Sequence, residues 1–189
     1  AYHGRASSIV VSGTPVIRPQ GQFKKNKEDA MPVFGPTQAL DYELELAFVI
    51  GKDSTLGLPI PVDKAGEYIF GFLLFNDWSA RDIQSWEYVP LGPFLSKNFM
   101  SSVSPWIVTL EALTPFRTRG PERDTTLLAY LQSTNTFNYD IELEVTLQPD
   151  GGAIESVSRT NFKYMYWDVS QQLAHHTVNG CNVKVGDLM

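Results

Sequence analysis

Alternation of apolar and polar residues along the stretch 40–50 constrains the fold of this chain more than any other feature. One side of the alternation is entirely apolar or aromatic and consists of Tyr42, Leu44, Leu46, Phe48 and Ile50. A period of two residues is typical of a β-strand, whereas a helix repeats every 3.6 residues. The stretch 139–147 alternates in the same way, and the turn residues 149–152 connect it to a short strand at 154–158, which predicts a β-hairpin.

The remaining segments predict more strands than helices. The continuous apolar run Phe70–Asn76 has the length of a buried strand, and Trp106–Leu110 is interpreted as another strand. Ser79 resembles the N-terminal cap of a helix that Pro90 would end. Apolar residues at helical spacing predict an amphipathic helix from Asn161 to about His176. The expected fold class is α+β, mainly β, rather than a doubly wound sheet.

Composition limits which functions are open to the chain. Of its 189 residues 43% are apolar, which suits a packed core and excludes general disorder. Its 21 acidic residues exceed its 15 basic ones, and the net charge of −6 argues against a nucleic acid or an anionic membrane as partner. No apolar run approaches the roughly 20 residues of a membrane span. The single cysteine, Cys181, excludes an internal disulfide, fits a reducing cytoplasmic compartment and is interpreted as a buried thiol.

The segment Asp41-Tyr42-Glu43-Leu44-Glu45 carries the sharpest chemical signal. Glu43 and Glu45 are two residues apart, so on a strand their side chains share a face and lie roughly 6.5–7 Å apart along the chain. Carboxylates with that reach can bind one hard cation, whose oxygen ligands lie at about 2.0–2.6 Å. A solvated strand face would explain the same spacing.

A second acidic stretch provides an internal comparison. Asp140, Glu142 and Glu144 have the same spacing and alternate with apolar residues, namely Ile141, Leu143, Val145 and Leu147. This pattern predicts a strand with its apolar side towards the core and its acids in water. Spacing alone therefore leaves a ligand pair and a solvated surface equally open for Glu43 and Glu45.

A third acid, Asp77, follows the predicted buried strand directly and precedes the predicted helix. Loops at strand ends are favoured positions for ligands. On that helix Arg81 and Gln84 are three residues apart and share a face, and the arginine fork can bind carboxylate or carbonyl oxygens. The simpler alternatives are a turn residue for Asp77 and a surface ion pair of Arg81 with Asp82 or Glu87.

Longer motifs resemble the fumarylacetoacetase (fumarylacetoacetate hydrolase) family. The resemblance rests on five stretches, which are Tyr2–Ser8, Leu40–Glu45, Asn76–Gln84, Trp86–Leu95 and His175–Asn182. It runs along essentially the whole chain and is closer to this family than to the broader superfamily of keto-acid hydrolases, hydratases and decarboxylases. It implies a mixed β-sandwich roll, of which residues 1–189 would be part of one catalytic domain, truncated at both ends.

The resemblance also implies an activity. Members of the family hydrolyse a carbon–carbon bond of 4-fumarylacetoacetate, a 1,3-diketo acid, to fumarate and acetoacetate, in the last step of tyrosine and phenylalanine breakdown. The expected enzyme is a cytoplasmic homodimer that binds calcium, magnesium or both. Its partner is the small diketo acid, with no nucleic acid and no membrane.

Site residues are carried over from the resemblance position by position. It assigns Glu43, Glu45 and Asp77 as metal ligands, and it assigns substrate contacts to Tyr2, Arg81, Gln84 and Tyr88. Lys97 would lie near the developing oxyanion, with Arg81 and Gln84 as further donors in the transition state. A weaker second magnesium site would involve Asp77, main-chain oxygen near Lys97, and Ser101, where the family pattern has threonine.

The general base is the part of the family's machinery that this chain lacks. The family activates water with a histidine assisted by a glutamate; the histidine and a further metal-binding aspartate are expected before Tyr2, and the glutamate beyond Met189. His3, His175 and His176 do not match the catalytic position, and the last two are interpreted as structural. The segment alone is therefore expected to be inactive. The alternatives are an inactive structural piece and a keto-acid decarboxylase or tautomerase.

Overall fold

The computed structural model describes residues 6–134 and 137–189. The predicted substrate contact Tyr2 and its neighbour His3 lie outside the described residues. The chain divides into two compact units, one from residues up to Leu46 together with Leu73–Trp106, the other from Ala47–Phe72 together with Ile107–Met189. The candidate site belongs entirely to the first unit.

Strands dominate the described part of the chain, which confirms the predicted α+β, mainly β class. The strands are β1 (Ile9–Val11), β2 (Gln20–Phe23), β3 (Val33–Pro36), β4 (Leu40–Asp41), β5 (Leu44–Ile50), β6 (Ile69–Asp77), β7 (Ser79–Ala80), β8 (Ser101–Val103), β9 (Val108–Thr109), β10 (Arg117–Thr118), β11 (Asn138–Tyr139), β12 (Glu142–Leu147) and β13 (Glu155–Asn161). The α-helices are α1 (Arg81–Leu91) and α2 (Val169–Thr177). Short 3₁₀ helices cover Val62–Glu67, Thr114–Phe116, Ala129–Leu131 and Phe162–Tyr164.

The largest sheet has the strand order β1-β8-β6-β5. β1 is parallel to β8, and β8 runs antiparallel to the end of β6 with Asp77 opposite Ser101. The predicted strand at 70–76 is confirmed, although Phe70 and Leu74 are half-exposed rather than buried. The register brings the carboxyl end of β6, and with it Asp77, beside the hydroxyl of Ser101.

The predicted strand at 40–50 is interrupted at Tyr42 and Glu43. β4 ends at Asp41, where it pairs with β7, and β5 begins at Leu44. In the gap the backbone N–H of Glu43 donates to the side-chain oxygen of Asn76 at 3.1 Å, and the Glu43 carbonyl accepts from the backbone N–H of Asp77 at 3.3 Å. Because a side-chain amide satisfies the backbone N–H here, the chain can leave the regular ladder without an unpaired polar group.

Helix α1 begins differently from the prediction. Ser79 is fully buried in β7, its hydroxyl donates to the carbonyl of Asp77 at 3.1 Å, and the residue before the helix is Ala80 without a side-chain cap. At its other end α1 extends to Leu91, but Val89 is extended, so a kink interrupts the regular helix directly before Pro90, where the sequence predicts its end. The buried side of α1 packs Ile83 against Phe23 in the core of the first unit.

The predicted helix from Asn161 to His176 is wrong in its first half. A 3₁₀ turn and an irregular segment precede α2, which starts only after Asp168. Asp168 and Gln171 form a capping box. These local hydrogen bonds to the backbone start the helix at Val169, although the apolar spacing alone predicts an earlier start. Met165 is consequently exposed, while Val169 and Leu173 are buried.

Two further expectations are wrong, one for the burial of Cys181 after α2 and one for the end of the hairpin. Cys181 is exposed rather than buried, because it lies in the surface turn after α2 and directly follows Gly180, which has a positive φ of 89°. In the hairpin of β12 and β13 the pairing register shifts between Val145 and Thr146, and beyond this bulge Leu147 is exposed instead of facing the core. None of the described helices combines the length and apolar composition needed to cross a membrane.

Candidate metal centre

Three carboxylates converge where β5 starts and β6 ends. Glu43, Glu45 and Asp77 each offer one oxygen, and these oxygens lie within 4.8 Å of one another. Calcium ligands lie at about 2.3–2.6 Å from the ion, so two oxygens on opposite sides of it are about 4.6–5.2 Å apart. The three acids are thus already spaced as the ligands of one calcium-sized cation, and a smaller magnesium ion would draw them together.

Two cationic side chains reach into the same cluster. Nζ of Lys97 lies 2.6 Å from Oε2 of Glu43 and 3.4 Å from Oδ2 of Asp77. Nη1 of Arg81 lies 2.9 Å from Oε1 of Glu43. Glu43 therefore forms ion pairs with both cations, whereas Glu45 forms an ion pair with no cation among the described residues.

A fourth carboxylate holds Arg81 from its other side. Nε of Arg81 donates to Oδ2 of Asp41 at 2.8 Å, and this ion pair lowers the pKa of Asp41. Among the described residues the cluster thus has four carboxylates and two cations, which leaves two negative charges when every carboxylate is ionised. The charge of one divalent cation would balance that excess.

The pKa values of the three clustered acids show at which of them the negative charge is least compensated. Burial alone would raise the pKa of Glu43, but the hydrogen bonds from Lys97 and Arg81 lower it. Burial also raises the pKa of Asp77, and the proximity of Lys97 offsets only part of that shift. Desolvation and the charges of Asp77 and Glu43 raise the pKa of Glu45 to about 7. Because Glu45 as a whole residue is exposed, we attribute its raised pKa more to repulsion from the two carboxylates within 4.8 Å than to burial.

Arg81 and Gln84 share a face of α1, as the sequence predicts, and Nη1 of Arg81 donates to Oε1 of Gln84 at 3.0 Å. The surface ion pairs considered for Arg81 are not formed, because Asp82 instead accepts the backbone N–H of Gln38 and Glu87 accepts donors of the turn 94–96. Asp41, the partner that orients Arg81, was not recognised as a site residue from the sequence. Its signal was present in the spacing, because Asp41 lies two residues before Glu43.

The other predicted site residues are less closely assembled. Ser101 is adjacent to the cluster, with its hydroxyl 3.4 Å from Oδ1 of Asp77. Tyr88 lies seven residues after Arg81 on α1, which gives it the same helix face, and its side chain is exposed. His175 and His176 are exposed at the end of α2, where His175 bonds to the Tyr130 hydroxyl.

Comparison with known proteins identifies the family to which the chain belongs. The model of the family described as "Fumarylacetoacetate (FAA) hydrolase C-terminal" matches residues 1–189, the whole chain. The chain belongs to the fumarylacetoacetate hydrolase family. The resemblance found in the motifs is thereby confirmed at the level of the family.

Individual members of the fumarylacetoacetate hydrolase family align with the chain over its full length. Fumarylacetoacetase of Dictyostelium discoideum is 57% identical over 190 residues, covering 100% of this chain and 44% of that protein. Fumarylacetoacetase of Homo sapiens is 54% identical over 189 residues, with 100% and 45% covered. The chain thus spans about 45% of the length of the curated relatives it matches.

A solved structure of the family has a similar fold. The fumarylacetoacetate hydrolase of the psychrophile Exiguobacterium antarcticum superposes with a TM-score of 0.60 at 27% identity, covering 96% of this chain and 49% of that one. The α+β, mainly β architecture of the chain is that of the fumarylacetoacetate hydrolase family.

Proposed function

We propose that this chain provides the metal-binding and substrate-binding part of a fumarylacetoacetase, which hydrolyses 4-fumarylacetoacetate to fumarate and acetoacetate in tyrosine and phenylalanine breakdown. The observation that carries the proposal is the convergence of Glu43, Glu45 and Asp77 beside the donors Arg81 and Lys97. Relatives named fumarylacetoacetase match the chain along its whole length, which supports the same reaction.

The proposed metal ligands are Glu43, Glu45 and Asp77, with calcium or magnesium as the ion. When bound, such an ion would polarise the carbonyl oxygens of the diketone and stabilise the enolate that leaves. A weaker second magnesium site at Asp77, Ser101 and the main chain near Lys97 is part of the same proposal. The donor set fits, because hard divalent cations prefer carboxylate and carbonyl oxygens.

The cationic and amide side chains around the carboxylates have the chemistry needed for the substrate. In hydrolysis a water oxygen adds to one carbonyl carbon, the carbon–carbon bond breaks, and its electron pair remains on the other fragment as an enolate. Arg81, Gln84 and Lys97 can donate hydrogen bonds to the oxygens on which this charge grows. We assign the ammonium of Lys97 as the proton donor to the leaving carbanion, and Tyr2 and Tyr88 as further substrate contacts.

Water activation is assigned outside these residues. The described histidines have other contacts, with His175 bonded to Tyr130 and His176 at 3.8 Å from the Cys181 sulfur. The resemblance instead predicts a histidine–glutamate pair beyond the two ends of the chain. We therefore expect the 189-residue chain alone to be inactive, and rapid hydrolysis by it would contradict this assignment of the base. We further propose that the complete protein is a cytoplasmic homodimer.

The decisive experiment uses the complete protein of which this chain is a part. The loss of diketo-acid absorbance is followed for wild type, Glu45→Gln and Asp77→Asn, with Glu144→Gln as a control that has the same change of charge on the other acidic strand. We expect kcat to fall by at least about 100-fold in the first two variants and to be unchanged in the control. Near wild-type turnover in both site variants would refute the metal assignment. The product masses would distinguish hydrolysis from decarboxylation or tautomerisation.

A further inference from the structure

Glu87 is a polar side chain near the cluster that the proposed chemistry does not use. Its carboxylate accepts hydrogen bonds from four donors of the turn that follows α1. Oε1 accepts the backbone N–H of Phe94 at 2.7 Å, and the backbone N–H and hydroxyl of Ser96 at 2.9 and 2.6 Å. Oε2 accepts the backbone N–H of Leu95 at 3.0 Å. One carboxylate thus fixes the backbone of three consecutive residues.

The turn held by Glu87 is the one that carries Lys97. The backbone N–H groups of Lys97 and Asn98 both donate to the carbonyl of Phe94, at 3.2 and 3.0 Å. Ser96, immediately before Lys97, is fully buried, and its carbonyl accepts the backbone N–H of Ala80 at 2.9 Å. Ser96 is therefore tied to Glu87 on one side and to the residue that precedes Arg81 on the other.

The position of the Lys97 ammonium depends on this turn. A lysine stem has four flexible carbons and a single point charge at its end, so it provides little geometric definition of its own. Yet Nζ of Lys97 lies within ion-pair distance of both Glu43 and Asp77. These carboxylates can hold the ammonium only if the backbone at residue 97 lies within reach of them, because the flexible side chain does not fix its own starting point.

We infer that Glu87 is a positioning residue for Lys97, which holds the turn 94–98 so that the lysine ammonium lies between Glu43 and Asp77. α1 then organises both cations of the site, because its first turn carries Arg81 and because Glu87, less than two turns further on, holds the turn of Lys97. The consequence for catalysis rests on the proposed function, whereas the consequence for the position of Lys97 does not.

The protonation of Glu87 agrees with this arrangement. Burial alone would raise the pKa of Glu87, but the hydrogen bonds from Ser96 and the backbone N–H groups lower it. The carboxylate is consequently ionised at neutral pH, when charge-assisted hydrogen bonds to N–H and O–H donors are strongest.

Glu87→Gln is the sharpest substitution, because it keeps the volume of the side chain and replaces one acceptor oxygen with an NH₂ group. That NH₂ would face a backbone N–H donor of the turn, and two facing donors repel. Asp53→Asn is the matched control, since Asp53 likewise accepts the backbone N–H of Val185 at 2.8 Å and Nζ of Lys184 at 2.9 Å. Ser96→Ala is a milder variant that removes one of the four donors and leaves the backbone bonds.

The first measurement does not require activity. The full-length protein is treated with a lysine-methylating reagent, and the modification rate of each lysine is followed by mass spectrometry. We expect Lys97 to react faster in Glu87→Gln, and less markedly so in Ser96→Ala, while the exposed Lys52 is unchanged in both. Asp53→Asn should leave Lys97 as slow as in wild type. Unchanged Lys97 reactivity in both Glu87→Gln and Ser96→Ala would overturn the inference, even if neither variant loses stability.

The second measurement is a kinetic double-mutant cycle with Lys97→Met. If Glu87 acts through Lys97, Glu87→Gln should lower kcat by about 10- to 100-fold with KM changed less than about twofold, and it should have no further effect in the Lys97→Met background. Additive losses of kcat would overturn the inference. Absence of diketo-acid hydrolysis in wild type would instead refute the proposed function, and the labelling experiment would still decide the role of Glu87.

Discussion

Two acidic stretches of this chain have the same spacing and opposite surroundings. Glu43 and Glu45 lie close to Asp77 at the end of β6, and Asp41 binds Arg81 beside them. Asp140, Glu142 and Glu144 are exposed, at the start of the hairpin and on its first strand. In the hairpin, Arg159 is directly opposite Glu144 in the register of β12 and β13 and binds it at 2.9 Å. The end of β6 instead places Asp77 beside Glu43, so the neighbour that this strand provides is an acid, whereas Glu144 has the cation Arg159 opposite it.

The pKa values express the same contrast. Hydrogen bonds from Lys163 and Asn161 lower the pKa of Asp140, and those from Ser156 and Arg159 lower the pKa of Glu144. The pKa of Glu45, by contrast, is raised to about 7. Both acidic stretches have the same spacing, so the difference comes from their surroundings: desolvation and the charges of Asp77 and Glu43 act on Glu45, whereas Glu144 is paired with Arg159.

The largest expected effect is on calcium affinity. In the complete protein Glu45→Gln removes one of the proposed ligand carboxylates, and because ligand charge sets affinity we expect calcium binding to weaken by at least about 100-fold. Glu144→Gln removes a carboxylate with the same spacing and should leave the affinity unchanged. Titration calorimetry measures both variants, and equal affinities would mean that the two acidic stretches do not differ in function.

Calcium should also stabilise the folded protein through the first acidic stretch only. An ion at 100 times its Kd adds about 2.7 kcal/mol to the free energy of unfolding if it binds the folded state alone. Thermal melts with calcium and then with a chelator should show this gain in wild type and in Glu144→Gln, and its loss in Asp77→Asn. A gain of equal size in Asp77→Asn would place the bound ion elsewhere.

The pH dependence of stability should have opposite signs for the two stretches in the metal-free protein. Glu45 has its pKa raised from 4.5 to about 7 on folding, so its contribution to stability is lost as the pH rises through that window. Glu144 has its pKa lowered, so its contribution is present above its ordinary pKa and is lost as the pH falls.

Denaturant unfolding across this pH range tests the signs. Relative to wild type, metal-free Glu45→Gln should become progressively more stable as the pH rises from 4.5 to about 7, because the substitution removes repulsion among the carboxylates. Glu144→Gln should differ from wild type least at low pH. A parallel pH profile for wild type and Glu45→Gln would contradict the raised pKa.

The smallest effect is expected for the exposed ion pair of the hairpin. The side chains of Arg159 and Glu144 are 76% and 42% exposed, and ion pairs of this kind contribute less than about 1 kcal/mol. Arg159→Ala should therefore change the free energy of unfolding by less than about 1 kcal/mol and leave calcium binding unaltered. A larger loss of stability would show that the hairpin face is not a simple solvated surface.

Residue order alone predicts the longer strands and identifies the side chains available for chemistry. Alternation identified the hairpin of β12 and β13, and its acids are exposed as predicted, because side-chain direction in a strand follows directly from residue order. The shared face of Arg81 and Gln84 was predictable for the same kind of local reason. Where local hydrogen bonds competed with apolar spacing, as at Asp168, the prediction of the helix start was wrong.

Contacts between segments that are remote in the sequence set which acids lie together and which cations neutralise them. Asp77 is separated from Glu43 by more than thirty residues, and the role of Asp41 beside Arg81 depends on the pairing of β4 with β7. The carboxylate of Glu87 likewise acquires its partners only when the chain turns back after α1. Electrostatic interactions depend on distances between atoms, and distances between remote segments are set by the packing of strands rather than by their order in the chain.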